Sequence, residues 1–309
     1  MRFSFTDDQR LFADGLRDLL SAKCTPAHVR DVWEKGDGHD PALWSQLDDM
    51  GVLSLLVPEQ LGGMGGSLVD AVLLFQQLGR HAVPGPVIEH MLAAPVLAAG
   101  GVDATVATAW LDGPYVPHAS VADVVLTADA VLTGFDATAI EAIDKGRRLS
   151  SISGGTSEPI RTPAALADQF ALAAAGVLVG LADRMIEMAA EYARQRHQFG
   201  KPIGSFQAVK HLLADALLQV EFAKAPLYRA AWSLANDAPT GARDVSMAKA
   251  LANEAAYRTS RATMQVHGAI GYTWECDLHL WTKKAWALQR AYGDTRFHRR
   301  RVGDAVLGP

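Results

Sequence analysis

Apolar residues recur at helical spacing along most of this chain and at strand spacing in one short stretch near its middle. After Thr6, the residues Phe12, Leu16, Leu19 and Leu20 return at three- and four-residue steps, the pattern of one buried helix face. Thr6 followed by Gln9 has the form of a capping box and predicts where that helix starts. A second helix is predicted over 41–50, with Pro41 in its first turn, where a missing N–H breaks no helical bond. The glycines at 62, 63, 65 and 66 then form a loop, and Ser67 caps the helix beyond it. This cluster lacks the Lys-Ser/Thr pair of a P-loop and the spacing of a dinucleotide fingerprint, so a tight structural turn is expected there.

Between 102 and 162 the period changes. "TVATAWL", "DVVLTA", "AVLTGF" and "RLSSISGG" are short, rich in Val, Thr and Ile, and bounded by Gly, Pro and Asp, which predicts a few short strands. From Thr162 the helical period returns, with Thr162 as cap and Pro163 at the first helical position. One long helix is expected over 164–199, stopped by Gly200 and Pro202. Ser205 is the expected cap of the next, in which Phe206, Val209, Leu213, Ala216, Val220 and Ala223 keep the spacing. Two more helices are predicted over about 243–267 and 275–292. The fold class is therefore mainly α with a small β insert. Its parts are an N-terminal helical domain (1–101), a short β region (102–162) and a C-terminal four-helix bundle (163–309). Leu212, Leu217 and Leu218 widen one apolar stripe, and Leu278, Leu280, Trp281, Trp286 and Leu288 add another. A surface this apolar implies an interface with a second chain.

Composition adds exclusions. Net charge is −5 over 309 residues, so no basic excess points to nucleic acid. Cys24 and Cys276 are far apart and lack metal-ligand spacing, which fits a reducing cytoplasm without disulfides. The start has no apolar signal core, and no run of about 18 apolar residues predicts a membrane span.

Two stretches carry candidate chemistry. In "RQRHQFGKPIGSFQAVKH", 194–211, Arg196 is placed in the last helical turn, where a guanidinium can grip a phosphate through two bonds, and Phe199 can lie against a flat ring. In "QVHGAIGYTWE", 265–275, Gln265 offers an amide to a heteroaromatic edge, while Gly268, Ala269 and Gly271 leave the backbone bare for close approach. His197, His211 and His267 are expected to serve packing or an interface, with no metal. Arg299, Arg300 and Arg301 are expected to form a solvated end.

Together these stretches resemble the acyl-CoA dehydrogenase family of flavoproteins. The likeness rests on R-x-x-F-G-x-P-I-x-x-F-Q at 196–207 and Q-x-x-G-x-x-G-Y at 265–272, with "FTDDQRLF" and the Pro-Glu-x-x-Gly-Gly loop in the first 100 residues. It covers about 1–100 and 163–295. The resemblance implies that Arg196, Phe199, Gln265, Gly268 and Ala269 contact FAD across a subunit interface, the flavin being the neighbour's.

Three departures qualify the likeness. Counting from Tyr272, the family's catalytic Glu before a Gly-Thr pair falls at Tyr292, and a phenol with a pKa near ~10 is a poor base at neutral pH. The alternative Glu of some relatives, on the long helix, falls at Phe170, and a family Arg at Ala171; Asp168 and Gln169 lie close by but do not match. The middle β region is shortened and lacks the family's Thr-Glu-x-x-x-Gly-Ser-Asp stretch over the flavin ring. The chain so described resembles the truncated, non-catalytic subunit of heteromeric α2β2 acyl-CoA dehydrogenases of actinobacterial steroid catabolism. That likeness implies a full-length partner subunit, an acyl-CoA substrate and electron-transfer flavoprotein or a similar acceptor. Two alternatives stand beside it: a self-sufficient flavoenzyme with Asp294 or Asp168 as relocated base, and a flavin-free scaffold protein of the same fold.

Overall fold

The structure, a computed structural model, describes residues 4–36 and 38–308. The first helix, α1 (Asp7–Lys23), begins where the capping box predicts. The Gln9 amide N–H donates to Thr6 Oγ1 at 3.2 Å, and Thr6 N–H donates to Gln9 Oε1 at 2.9 Å. Next come α2 (Pro26–Lys35), capped by Thr25, and α3 (Pro41–Asp49), capped by Asp40. The glycine loop is a tight turn whose N–H groups are used internally: Gly65 donates to Val57 O and Gly66 to Leu55 O, both at 2.8 Å. Ser67 caps α4 (Leu68–Arg80), and α5 (Val87–Ala99) follows.

The β region is one five-stranded sheet: β1 (Ala107–Ala109), β2 (Val116–Pro117), β3 (Val124–Leu126), β4 (Ala130–Ile140) and β5 (Leu149–Pro159), in the order β1-β3-β4-β5-β2. β1 and β3 run parallel with Ala107 opposite Val124, while the long β4–β5 hairpin is antiparallel. So small a sheet leans on the helices. His90 of α5 accepts from Ala107 N–H through Nδ1 at 3.0 Å, and Trp44 of α3 donates to Thr105 O at 3.2 Å. Burial pushes the His90 pKa down to about 4, so the ring stays neutral and keeps that acceptor.

The centre of the molecule is α6 (Leu166–Gln195), buried along most of its length. By length and composition α6 could cross a membrane, yet 83% of its most apolar window is buried inside the protein. It crosses α4 at very short range: a β-carbon on Gly79 would sit 2.1 Å from Val177 O, and one on Gly180 2.0 Å from Gln76 O. After α6 come a two-residue ladder of β6 (His197–Gln198) and β7 (Lys201–Pro202), then α7 (Gln207–Ala235), α8 (Gly241–His267), α9 (Leu278–Leu288) and α10 (Thr295–Leu307).

Several boundaries differ from the sequence reading. Thr162 does not cap α6; its hydroxyl donates to Ala128 O and ties the linker to the sheet, so the helix starts at Leu166. Ser205 does not cap α7, because its hydroxyl donates to Pro202 O at 2.7 Å inside the preceding turn. The three C-terminal arginines are not merely a solvated end. They lie on α10, where Arg301 grips Asp168 of α6 through two bonds of 2.6 and 3.2 Å, and Arg299 pairs with Glu254 of α8. Leu278, Leu280, Trp281 and Leu288 are buried in this chain's own core, whereas Leu217, Leu218 and Phe222 on α7 stay exposed.

Candidate functional site

The two motif stretches meet at one end of the bundle, where α6 and α8 terminate side by side. Tyr192 near the end of α6 stacks on His267 at the end of α8, with ring centroids 4.5 Å apart and planes 20° apart. His267 is anchored by Nδ1 to Thr263 O at 2.8 Å. Burial lowers its pKa, which keeps the ring neutral for the stack. Below the stack, Ala189, Ala193 and Val266 pack with Ile203, Val209 and Leu213, which fixes the chain between α6 and α7 against the end of α8.

Onto this base the chain mounts an exposed hairpin. α6 ends at Gln195, four residues earlier than expected, so Arg196 lies in extended conformation beyond the last turn rather than within it. Its side chain is exposed and has no hydrogen-bond or ionic partner among the described residues. Phe199 and Gly200 form the two-residue tip between β6 and β7, both at positive φ, +54° and +77°. A two-residue hairpin with both central residues at positive φ favours Asn and Gly, so a phenylalanine there is strained. That phenylalanine is 92% exposed, its ring edge-on to Phe206 with centroids 6.1 Å apart. A strained, solvent-facing aromatic is a feature of binding sites rather than of stable cores.

Across from the hairpin, Gln265 is exposed on the last turn of α8, and the chain turns at Gly268 (φ +64°), with Ala269 exposed beside it. A β-carbon on Gly268 would meet nothing within 4 Å, so its bare backbone faces open space. Arg196, Phe199, Gln265, Gly268 and Ala269 thus lie on the two adjoining chain segments at this end, all exposed. Ile270 and Tyr272 continue the exposed strip.

The positions counted for a catalytic carboxylate lie elsewhere and hold buried aromatic side chains. Tyr292 (φ +56°) is buried, and its ring packs on Phe170 of α6 with centroids 5.2 Å apart. The two alternative base positions therefore converge on one place, and an aromatic pair fills it. The Tyr292 hydroxyl donates to Glu89 Oε1 at 2.7 Å, and the Arg147 guanidinium lies 3.8 Å from the same oxygen. Burial, then the Glu89 charge, raise the Tyr292 pKa well above the usual phenol range, so it cannot act as a base. The space among Glu89, His118, Arg147 and Lys284 is about 20 Å³, while a separate cavity of about 350 Å³ borders Tyr292, with Asp112, Asp168, Phe297 and Arg301 among its lining.

The turn is held on every side. Tyr292 N–H donates to Asp112 Oδ2 at 3.1 Å, and His298 Nε2–H donates to Tyr292 O at 2.9 Å. Lys249 Nζ, buried at 0% exposure, reaches Asn253 Oδ1 at 2.8 Å and the carbonyls of Leu288 and Gly293 at 3.1 Å each. Its burial pushes the pKa down to about 7, against three acceptors that favour the ammonium. Asp294 caps α10 by accepting from Phe297 N–H at 2.8 Å, and Asp168 is occupied by Arg301. Both carboxylates proposed as relocated bases are thus engaged in structural bonds. Sequence reasoning missed Glu89, Arg147 and Lys249. The one available signal was Glu89 itself, a carboxylate within the apolar run "VIEHMLAAPVLAA".

Residues 6–111 match the acyl-CoA dehydrogenase N-terminal domain and residues 162–307 the acyl-CoA dehydrogenase C-terminal domain. The chain belongs to the acyl-CoA dehydrogenase family. It is 34% identical over 295 residues to acyl-CoA dehydrogenase IpdE2 of Mycobacterium tuberculosis, covering 90% of this chain and 91% of the relative. It is 32% identical over 316 residues to acyl-CoA dehydrogenase IpdE2 of Mycolicibacterium smegmatis, covering 98% and 100%. A chain of the ChsE4–ChsE5 complex from Mycobacterium tuberculosis superimposes with a TM-score of 0.88 at 27% identity, covering all of both chains.

Proposed function

We propose that this chain is the non-catalytic subunit of a heteromeric, FAD-dependent acyl-CoA dehydrogenase, and that it completes the flavin site of a full-length partner in an α2β2 assembly. One observation carries the reading. The positions counted for the family's base are filled by the Tyr292–Phe170 pair, while the residues we assign to the cofactor are exposed, and the Arg196 side chain has no hydrogen-bond or ionic partner among the described residues. A bare backbone facing open space at Gly268 and an unpaired guanidinium at Arg196 fit a pyrophosphate-containing cofactor. Arg196 would hold the phosphates, Phe199 would cover a flat ring, and Gln265, Gly268 and Ala269 would take the adenosine side. When bound, FAD supplies the acceptor for the substrate's β-hydrogen, and the product is the α,β-unsaturated acyl-CoA.

This chain's residues bind and orient; the proton at the substrate's α-carbon is left to a carboxylate of the partner. The exposed Leu217, Leu218 and Phe222 of α7 supply apolar area for that partner. We assign the substrate class, a bulky steroid-derived CoA thioester, from the resemblance to truncated subunits of such enzymes. The acceptor on this reading is electron-transfer flavoprotein or a similar protein. Free Cys24 and Cys276 are consistent with a cytoplasmic setting. We keep 1–101, 102–162 and 163–309 as the domain division.

Co-expression with a full-length relative tests this reading. The expected product is a soluble yellow complex with equal numbers of both chains, active only as the pair, seen by light scattering and a flavin spectrum. A stable colourless monomer indifferent to every candidate partner overturns it and leaves the scaffold reading. Flavin and turnover in the chain alone favour the self-sufficient enzyme.

A further inference from the structure

A cleft of about 650 Å³ opens between the start of α4, the end of α5, the 161–164 linker and the end of α7. Leu56, Leu68, Val96 and Leu234 give it apolar walls, and Arg161 and Gln169 are among the polar residues that border it. Neither side chain has a hydrogen-bond or ionic partner among the described residues. The volume lies in the range of small-molecule sites, about 300–1,000 Å³. The cleft is separate from the Tyr292–Phe170 pair. Asp168 and Ala171 border the Tyr292 side of α6, and at 3.6 residues per turn Gln169 projects away from that face.

We propose that this cleft binds an amphipathic anion, an apolar body carrying one carboxylate. The body lies against Leu68, Val96 and Leu234, and the carboxylate pairs with the Arg161 guanidinium, whose planar fork matches it through two bonds. Gln169 adds an amide donor. Asp237, just past the end of α7, also borders the cleft and directs the anionic end towards Arg161. The site is independent of the flavin reading, since none of its residues belongs to the 196–205 hairpin or the 265–272 turn.

The test is a calorimetric titration of the protein, as purified with its partner or alone, with dodecanoate and with dodecanol, which shares the chain but not the charge. Wild type binds dodecanoate saturably and more tightly than dodecanol. Arg161→Glu, on an exposed linker, removes that preference and weakens dodecanoate by about tenfold or more, the change expected for one charged hydrogen bond. Val96→Trp fills the cleft and abolishes binding of both. No saturable binding by wild type, including the case in which a bound protein partner covers the cleft, overturns the proposal. So does dodecanoate affinity that Arg161→Glu leaves unchanged. Should Val96→Trp fail to fold, the Arg161→Glu titration decides.

Discussion

The 292 turn and the 199 hairpin are both short, both carry an aromatic residue at positive φ, and both belong to family motifs, yet they treat that residue in opposite ways. At the 292 turn the tyrosine is inside, its hydroxyl on Glu89, its ring on Phe170, and its backbone N–H and C=O both bonded. At the hairpin the phenylalanine is outside, 92% exposed. Strain at the first site is balanced by local bonds. At the second, the two-residue ladder and an edge contact to Phe206 hold the tip while the ring stays in solvent, as the binding role proposed for it requires. One aromatic residue is part of the core and the other is part of the surface.

The largest effect is expected where the core reading is strongest. Glu89→Ala removes the acceptor of the Tyr292 hydroxyl and leaves Arg147 buried without its carboxylate, which destabilises by about 3–5 kcal/mol. Urea unfolding measures it. A change below about 1 kcal/mol would mean the network is not structural, and the reading of the 292 turn as core would fail with it.

Acid comes next. Burial depresses the pKa of His90 and of His298 to about 4 in the folded state, against 6.5 for the free side chain. Between those values the unfolded chain binds more protons, so stability is lost as pH falls from about 6.5 towards 4. Thermal melts across that window should show it, and His298→Asn should flatten the slope.

At the hairpin, Arg196→Ala should weaken flavin retention in the complex by about 1.5–3 kcal/mol while leaving the chain's melting temperature unchanged. Equal flavin occupancy after dilution and gel filtration would take Arg196 out of the site. The smallest effect should come from Tyr292→Phe and Asp294→Asn, each leaving turnover of the assembled enzyme within about tenfold, since losing a general base costs about 10²–10⁴-fold. A collapse with Asp294→Asn in an intact assembly would move the base back into this chain.

Local patterns made most of the fold legible. Capping boxes at Thr6 and Ser67 are read off three or four adjacent residues, because the bonds they make are local. Strand segments at 107–109, 124–126, 130–140 and 149–159 each fall within or extend a stretch of β-branched residues, for the same reason. Thr162 and Ser205 misled because each hydroxyl had a nearer acceptor that only the folded chain supplies, Ala128 O and Pro202 O. The candidate site divides likewise. Sequence alone determined which residues could face a cofactor and that neither base position holds a carboxylate, since both follow from residue identity at motif spacing. Only the tertiary structure decided that positions 170 and 292, far apart in the chain, fill a single space, and that Glu89 and Arg147 close it. Long-range packing and buried charge pairing have no signature in local order, because their partners are brought together by the crossing of α5, α6 and the sheet rather than by neighbouring residues.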